Sequence, residues 1–246
     1  MTDRDDLYQH VQPETSGFRF DEAVARVFPD MIRRSVPGYA ESVAMSGVIA
    51  SRYAQPDSRL YDLGCSLGAV TLALRHGVKQ PGCTVIGVDN SEAMLEQARH
   101  YIAIDDHTLA GDAVPVDLIC ADICDVHPEN ASVSALNYVL QFIEPDKRLP
   151  LLKTIADGTL PGGVLILSEK LCFEPQEQAV QDHLHLDFKR ANGYSDLEIA
   201  RKRSAIEHVL IPESEECHRQ RLLDAGFTRV VRWYQCFNFV SLLAIK

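Results

Sequence analysis

Hydrophobic and polar positions change their spacing once along the chain. Between residues 19 and 57 the apolar residues recur with helical spacing, which predicts amphipathic helices that break at Pro29 and Pro37. From Leu60 onward, short apolar runs of strand length alternate with helical segments. Near-continuous apolar strands joined by helices are typical of a parallel sheet with both faces covered. The pattern therefore predicts an α/β protein.

Five strands and three connecting helices can be placed on this alternation. The predicted strands cover 59–63, 83–89, 116–122, part of 131–142 and the residues that follow a tight turn at 161–163. The predicted helices cover 67–78, 91–104 and 145–160, with Ser91 as a candidate N-cap and Pro150 as an interruption.

Two further segments complete the predicted architecture. Residues 174–210 predict a long helical region over the strand ends. The last two apolar runs, with a break near Phe237, predict a C-terminal β-hairpin. With 246 residues and no internal repeat, we expect a flexible N-terminal segment, 1–17, and a single domain, 18–246, with helical additions at 18–57 and 174–210.

Composition and charge exclude some classes of protein. Apolar residues make up 46% of the chain, enough for a sizeable core. The net charge of −11 argues against a protein that coats nucleic acid by charge, since phosphate binding needs clustered Lys and Arg. The polar N-terminus has no apolar signal core, and no apolar run approaches the roughly 18 residues that span a bilayer. We expect a cytoplasmic protein that binds neither nucleic acid nor membrane.

Cysteine and histidine positions raise the question of a metal site. Cys120 and Cys124 have C-x3-C spacing, but no second pair follows. His183 and His185 are two residues apart and would point to different faces of a helix. A structural zinc usually needs four converging ligands. The seven cysteines, an odd number, are therefore expected to be reduced free thiols, and no metal is expected.

Polar residues end four consecutive predicted strands. In an open parallel sheet, ligands bind outside the carboxyl ends of the strands, so these residues are candidates for one site. The first strand gives Asp62, Gly64, Cys65, Ser66 and Gly68, the second Asp89 and Asn90, the third Asp122 and Ile123, and the fourth Asn137.

The residue types at these ends suit a nucleoside. Glycines and a serine let a ligand approach the backbone amides at a helix start. Asp89 is placed to accept from the two hydroxyls of a ribose, and Asp122 could accept from an adenine amino group. The alternative for each residue is ordinary. Asp89 and Asp122 would be helix caps, and Gly64 part of a plain turn.

The loop after the first strand distinguishes two nucleotide classes. Its sequence from Gly64 is G-C-S-L-G, led by Asp62, and it does not match the G-x-G-x-x-G dinucleotide fingerprint. It resembles the D/E-x-G-x-G-x-G loop of class I S-adenosylmethionine enzymes, with Ser66 in place of the middle glycine. The C-terminal hairpin is similar to that fold as well. We therefore expect a Rossmann-like, mostly parallel sheet flanked by helices, with an antiparallel C-terminal hairpin and extra N-terminal helices.

Several longer stretches narrow the resemblance. They are "VFPDMIRRSVPGY", "YDLGCSLGA", "LSEK", "DFKRANGYS", "KRS" and "WYQCFNF". Together they resemble the carboxy-S-adenosylmethionine synthase family over nearly the whole chain, roughly residues 18 to 245. The first and fourth stretches lie outside the general S-adenosylmethionine fold, so they carry the discrimination.

The resemblance implies an unusual reaction. The family converts S-adenosylmethionine and prephenate to carboxy-S-adenosylmethionine and phenylpyruvate, and its product is the carboxymethyl donor for tRNA wobble-uridine modification. Prephenate aromatises as it loses carbon dioxide and its ring hydroxyl, the departing oxygen deprotonates the S-adenosylmethionine methyl group, and the ylide captures the carbon dioxide. Such chemistry needs a dry, closed pocket. The resemblance also implies a homodimer, with 176–210 at the interface, and hand-off of product to a tRNA carboxymethyltransferase.

The resemblance also implies particular ligand contacts. Those to the nucleoside and amino-acid parts are Tyr39, Gly64, Cys65, Ser66, Asp89, Asn90, Asp122, Ile123 and Asn137. Arg203 is expected to pair with the new carboxylate, for which a guanidinium is the strongest partner. From the residues alone, Arg203 would be a solvated helix residue beside Arg201 and Lys202, and Tyr39 a core tyrosine after a Pro-Gly turn.

Two other functions remain open from the sequence. An ordinary S-adenosylmethionine-dependent methyltransferase of a small molecule would share the fold and most of the nucleoside site. A non-enzymatic carrier would bind S-adenosylmethionine, or deliver carboxy-S-adenosylmethionine, without turnover of prephenate.

Overall fold

A computed structural model of the chain describes residues 4–7, 20–109, 113–206 and 209–246. The helices are α1 Glu22–Ser35, α2 Tyr39–Tyr53, α3 Ala69–Gly77, α4 Glu92–Leu109, α5 Pro145–Gly158, α6 Pro175–Ala191, α7 Asp196–Ile206 and α8 Glu215–Asp224. The strands are β1 Arg59–Leu63, β2 Thr84–Asp89, β3 Val116–Cys120, β4 Ala131–Asn137, β5 Thr159–Lys170, β6 Arg229–Cys236 and β7 Phe239–Ile245.

The seven strands form one sheet in the order β3-β2-β1-β4-β5-β7-β6. Strands β1 to β5 pair in parallel, whereas β7 lies antiparallel to both β5 and β6. The central strands are buried on both faces because helices cover them, which is why β4 is buried at every position before Asn137. The predicted parallel sheet and C-terminal hairpin are confirmed.

The N-terminal helices differ from the prediction at one proline. The predicted break at Pro37 is confirmed, since α1 ends at Ser35 and Gly38 adopts a left-handed φ of 73° before α2. The predicted break at Pro29 is wrong, because Pro29 lies inside α1. A proline in a helix interior costs about 3 kcal/mol. Burial of the apolar face of α1, which includes Val24, Val27 and Met31, offsets this cost.

The predicted helical region 174–210 consists of two helices. α6 and α7 are separated by a turn in which Gly193 has a φ of 84°. His185 on α6 is buried and His183 is exposed, so the two histidines do point to different faces. The sequence patterns missed α8. Its only signals are Ser214, which accepts a hydrogen bond from the Cys217 amide at 3.2 Å, and Gly226 after its end.

The predicted N-terminal segment, 1–17, lies mostly outside the described residues. Within 4–7, Asp5 is 1% exposed and contacts α1 and α7. The division of the chain at residue 17 stays a prediction.

Candidate active site

A cavity of about 570 Å³ lies at the carboxyl ends of the parallel strands. All ten site residues predicted from the sequence line it, so the fold brings them together although they are spread over 165 positions between Tyr39 and Arg203. Their contacts with a ligand remain predictions. The ten are Tyr39, Gly64, Cys65, Ser66, Asp89, Asn90, Asp122, Ile123, Asn137 and Arg203.

The loop between β1 and α3 turns through three left-handed residues. Gly64, Ser66 and Gly68 have φ angles of 85°, 50° and 82°. A Cβ on Gly64 would lie 2.4 Å from Cγ2 of Val139, so both conformation and space require glycine there. Ser66 has the left-handed conformation at the position where the loop motif has glycine. The bare backbone therefore gives the chain a tight turn beside the cavity.

Asp89, at the end of β2, holds this loop in place. One of its carboxylate oxygens accepts a hydrogen bond from the Ser66 amide at 2.8 Å, and the other accepts from the Ser91 amide at 2.9 Å. Burial raises the pKa of Asp89, and these amides oppose the shift. Each carboxylate oxygen has a second lone pair for a ribose hydroxyl. The Ser91 hydroxyl accepts from the Met94 amide at 3.3 Å, which confirms Ser91 as an N-cap.

Asp62 and Cys65 lie deeper beside the same loop. Burial raises the pKa of Asp62 to about 7, against a hydrogen bond that the Thr71 hydroxyl donates to it at 2.6 Å. Burial, with the nearby Asp62 and Asp89 carboxylates, also raises the pKa of the Cys65 thiol. Cys65 is therefore protonated and is a poor nucleophile, because the thiolate is the reactive form.

The next strand ends carry Asp122, Ile123 and Asn137. Asp122 accepts a hydrogen bond from the Cys124 amide at 2.9 Å and caps a 3-10 turn, so the alternative role as a cap holds for this residue. Capping uses one carboxylate oxygen and leaves the other for a ligand. After Asn137 the chain turns sharply, because Tyr138 has a left-handed φ of 64°.

Tyr39 begins α2 and lines the cavity beside the residue that follows β4. Its ring lies 6.3 Å from that of Tyr138, measured between centroids. Burial, followed by the charge of Asp62, raises the pKa of the Tyr39 hydroxyl, so the hydroxyl remains protonated and can donate a hydrogen bond.

Three helices cover the strand ends, and each presents one face to the cavity. The cavity-lining residues of each helix are spaced i, i+3, i+4 and i+7, which places them on one side of a helix. They are Phe28, Met31, Ile32 and Ser35 on α1, Asp182, His185, Leu186 and Lys189 on α6, and Ile199, Lys202, Arg203 and Ile206 on α7. We call these twelve residues the roof.

The roof is cationic on α6 and α7. Lys189, Lys202 and Arg203 line the cavity there, and Lys170 joins them from the end of β5. Burial, reinforced by the charges of Lys170, Lys202 and Arg203, lowers the pKa of Lys189 to about 7. Burial also lowers the pKa of Lys202 to about 8, although Asp5 lies 3.2 Å away and opposes the shift.

Arg203 lines the cavity but is exposed in the single chain. The closed pocket that the expected chemistry needs is therefore incomplete at this end on the described residues. Arg203 is predictable from the family resemblance, whereas Lys170, Lys189 and Asp182 are not among the site residues predicted from the sequence. The i, i+3, i+4, i+7 spacing on α6 could have indicated a helix face that lines the cavity. However, charged residues at such positions usually lie on the solvent-exposed face of a helix.

Within the described part of the chain, no group of three or more His, Cys, Asp or Glu side chains is placed to hold a metal ion. All seven cysteines are unpaired thiols, as predicted. No helix in the same ranges combines the length and the apolar character that a membrane span requires.

Known proteins share this fold and much of this sequence. The family model described as "Methyltransferase domain" matches residues 60–163. The magnesium protoporphyrin IX methyltransferase of Synechocystis, solved with bound S-adenosylhomocysteine, aligns with a TM-score of 0.59 and 16% identity over 95% of this chain and 90% of that one. The fold and its cavity thus define a class I S-adenosylmethionine-dependent methyltransferase architecture, and the predicted fold class is confirmed.

Closer relatives narrow the class to one family. The carboxy-S-adenosyl-L-methionine synthase of Marinobacter nauticus is 63% identical over 93% of this chain and 90% of its own length. The enzyme of that name from Citrifermentans bemidjiense is 54% identical over 98% of each chain. The chain belongs to the carboxy-S-adenosyl-L-methionine synthase family. The predicted family and its enzyme class are confirmed, with S-adenosylmethionine as substrate.

Proposed function

We propose that this chain converts S-adenosylmethionine and prephenate to carboxy-S-adenosylmethionine and phenylpyruvate, and that the product serves tRNA wobble-uridine modification. One observation carries the proposal beyond family membership. A single cavity combines the nucleoside-type strand ends with a group of four cations, three on the roof and Lys170 beside it; a fifth cation, Lys147, lines the cavity from α5. An ordinary methyl transfer creates no carboxylate at the reacting carbon, so it needs no cations there. A carboxylated product and an anionic second substrate do need them.

The reaction balances without a protein base. Prephenate, a dianion, releases carbon dioxide and its ring hydroxyl as it becomes the phenylpyruvate monoanion. The released hydroxide takes one proton from the sulfonium methyl group and leaves as water. The ylide carbon then forms a bond to the carbon dioxide, which becomes the new carboxylate. The protein's task is to orient both substrates and exclude bulk water.

The nearby titratable side chains agree with that task. Burial, with the charges of Lys189 and Lys170, lowers the pKa of His185 to about 3, and its Nε2 lies 2.8 Å from the Ser35 carbonyl oxygen. A neutral imidazole that donates to that carbonyl orients α6 against α1 rather than accepting a proton through the same nitrogen. We assign the first nine predicted residues to the S-adenosylmethionine part and Arg203 to the new carboxylate.

The decisive experiment is turnover with defined substrates. Purified protein with S-adenosylmethionine and prephenate is expected to form carboxy-S-adenosylmethionine and phenylpyruvate in equal amounts, measured by mass spectrometry. Reactions without prephenate or without protein are the controls. Formation of S-adenosylhomocysteine with a methylated small molecule would favour an ordinary methyltransferase. Binding of carboxy-S-adenosylmethionine without any turnover would favour a carrier.

We also propose a cytoplasmic homodimer that hands its product to a tRNA carboxymethyltransferase. The dimer is supported by an apolar surface on α6 and α7, where Val180, Leu184 and Leu197 are 57%, 40% and 58% exposed.

The protein itself is expected not to bind tRNA. Its net charge is −11, and five of its cations line the cavity. A gel shift with tRNA at physiological salt should show no complex with micromolar protein. A complex of submicromolar affinity would contradict this expectation.

A further inference from the structure

Five cations line the cavity: Lys147, which is exposed on α5, and a group of four formed by Lys170 and the three roof cations. The four differ in which anionic partner they already have. Lys202 lies 3.2 Å from an Asp5 carboxylate oxygen and donates to the Ser35 hydroxyl at 3.1 Å. Lys170 has no ion pair within the described ranges, but the charge of Asp182 favours its protonated form. Lys189 and Arg203 have no anionic partner there. Two of these four cations are therefore left for ligand charges.

Lys189 and Arg203 lie on different helices, so they can serve two separate groups of one ligand. Lys189 is on α6, and Arg203 is on α7. Leu186 and Ile199 line the cavity on these same two helices, and Phe239 lines it from β7. An apolar lining beside a group of cations drawn from two neighbouring helices suits a carbocyclic ring that carries two carboxylates.

We propose that Lys189, supported by Lys170, holds the carboxylate of the second substrate that is not transferred, whereas Arg203 holds the carboxylate that is transferred. The inference rests on the proposed function and assigns the substrate's two charges to two cations.

The assignment follows the carboxylates through the reaction. The ring carboxylate leaves as carbon dioxide and becomes the carboxylate of the sulfonium product, so one guanidinium can hold it before and after transfer. The 2-oxo acid carboxylate takes no part in bond changes, so its cation stays paired throughout. Phenylpyruvate retains only that second carboxylate, and carboxy-S-adenosylmethionine retains only the first at the reacting carbon. The two products therefore probe the two cations separately.

The test compares three variants against both products. Lys189→Gln is expected to weaken product inhibition by phenylpyruvate about 10- to 150-fold, as for loss of a hydrogen bond to a charged group. Its affinity for carboxy-S-adenosylmethionine should change much less, because Arg203 remains to hold that carboxylate. Arg203→Ala should give the reverse pattern. Arg190→Gln removes a cation from the next position of α6, where it pairs with Asp187 and Asp196 outside the cavity, and should change neither.

Two further results separate this role from a structural one. Lys189→Gln should keep the wild-type melting temperature or raise it, since burial disfavours the lysine charge. Lys189→Arg should restore part of the phenylpyruvate affinity. Equal losses for both products in Lys189→Gln, or unchanged phenylpyruvate inhibition, would overturn the inference. If the wild type forms no carboxy-S-adenosylmethionine from prephenate, the proposed function itself fails, and that result is independent of the variants.

Discussion

Asp89 shows how one residue of the site can have both a structural role and a ligand-binding role. Asp89 accepts from the amides of Ser66 and Ser91, so it fixes the loop after β1 and the start of α4 together. Its remaining lone pairs are the ones proposed for the ribose. The same carboxylate can therefore stabilise the turn and bind the ligand. The two roles considered for Asp89 from the sequence, helix cap and ribose contact, do not exclude each other.

Replacing Asp89 should weaken S-adenosylmethionine binding. Asp89→Ala is expected to cost about 1.5–3 kcal/mol of binding free energy, the range for hydrogen bonds to a charged group. Isothermal titration calorimetry measures this value. Asp117→Ala, which removes an exposed carboxylate on β3 outside the cavity, is the control and should bind like wild type. Wild-type affinity in Asp89→Ala would exclude the ribose role.

Lys189 gives the site a pH dependence. With a pKa of about 7 in the unliganded protein, Lys189 is mostly neutral at pH 8 and mostly charged at pH 6. A bound carboxylate favours the charged form, so binding at pH 8 should take up a proton and should weaken as the pH rises above about 7. The charges that act on Lys189 are those of Lys170 from β5 and of Lys202 and Arg203 from α7, and Asp182 and His185 line the cavity from the same helix as Lys189.

Calorimetry of phenylpyruvate binding in buffers of different ionisation enthalpy measures this uptake. Wild type should take up protons at pH 8 and almost none at pH 6. Lys189→Gln should lose most of the uptake at pH 8, and what remains belongs to Lys202, whose pKa is about 8. The idea fails if the variant and the wild type take up equal amounts.

At the scale of elements, the sequence predicted the sheet better than the helices around it. The parallel strands are buried on both faces, so continuous apolar runs such as that of β4 identify them directly. The position of Pro29 inside α1 could not be predicted, because tertiary burial of the helix decides it. α8 buries only His218 and Leu222, and ion pairs such as Arg219–Glu215 at 2.7 Å stabilise it. A helix with so few buried apolar residues does not show a helical spacing of apolar positions in its sequence.

The site residues at the strand ends could be predicted because their position depends on local sequence. Their place is fixed by strand and loop spacing along a short stretch of chain. The cations that face the cavity from α6 and α7 depend instead on how two distant helices lie over the sheet. Nothing local distinguishes Lys189, which lines the cavity, from Arg190, which forms surface ion pairs. Only the packing of α6 and α7 over the sheet shows which of the two residues lines the cavity.

The contact of Asp5 with α7 gives a prediction about these elements. Asp5 joins residues 4–7 to Lys202 and Tyr194, and its amide donates to Asp30 on α1 at 2.9 Å. We expect the free energies of unfolding of Asp5→Asn, Lys202→Gln and the double variant to be non-additive by about 0.5–3 kcal/mol. Urea denaturation measures the three values. Asp6→Asn changes an exposed neighbouring carboxylate and is the control. Strict additivity would show that the pair contributes no coupling.

At the scale of the whole molecule, α6 and α7 have two faces with different tasks. One face of each helix lines the cavity. Val180 and Leu184 on α6, and Leu197 on α7, lie about half a turn away from those residues and are exposed. Because the same two helices carry Lys189 and Arg203, association through their outer faces would hold the cationic roof in position over the strands.

This surface predicts how the oligomer can be broken. Wild type should sediment with twice the 27.4 kDa mass of the chain, if the proposed homodimer forms. Val180→Glu with Leu184→Glu places two charges in an apolar interface, where unpaired charges are costly, and should give a monomer. Ile104→Glu changes an apolar side chain on α4 that is 51% exposed and should remain dimeric. Sedimentation equilibrium measures all three masses. A dimeric double variant, or a monomeric Ile104→Glu, would place the interface elsewhere.

Because Arg203 lies on the cavity face of α7, loss of the dimer should affect activity more than S-adenosylmethionine binding at the strand ends.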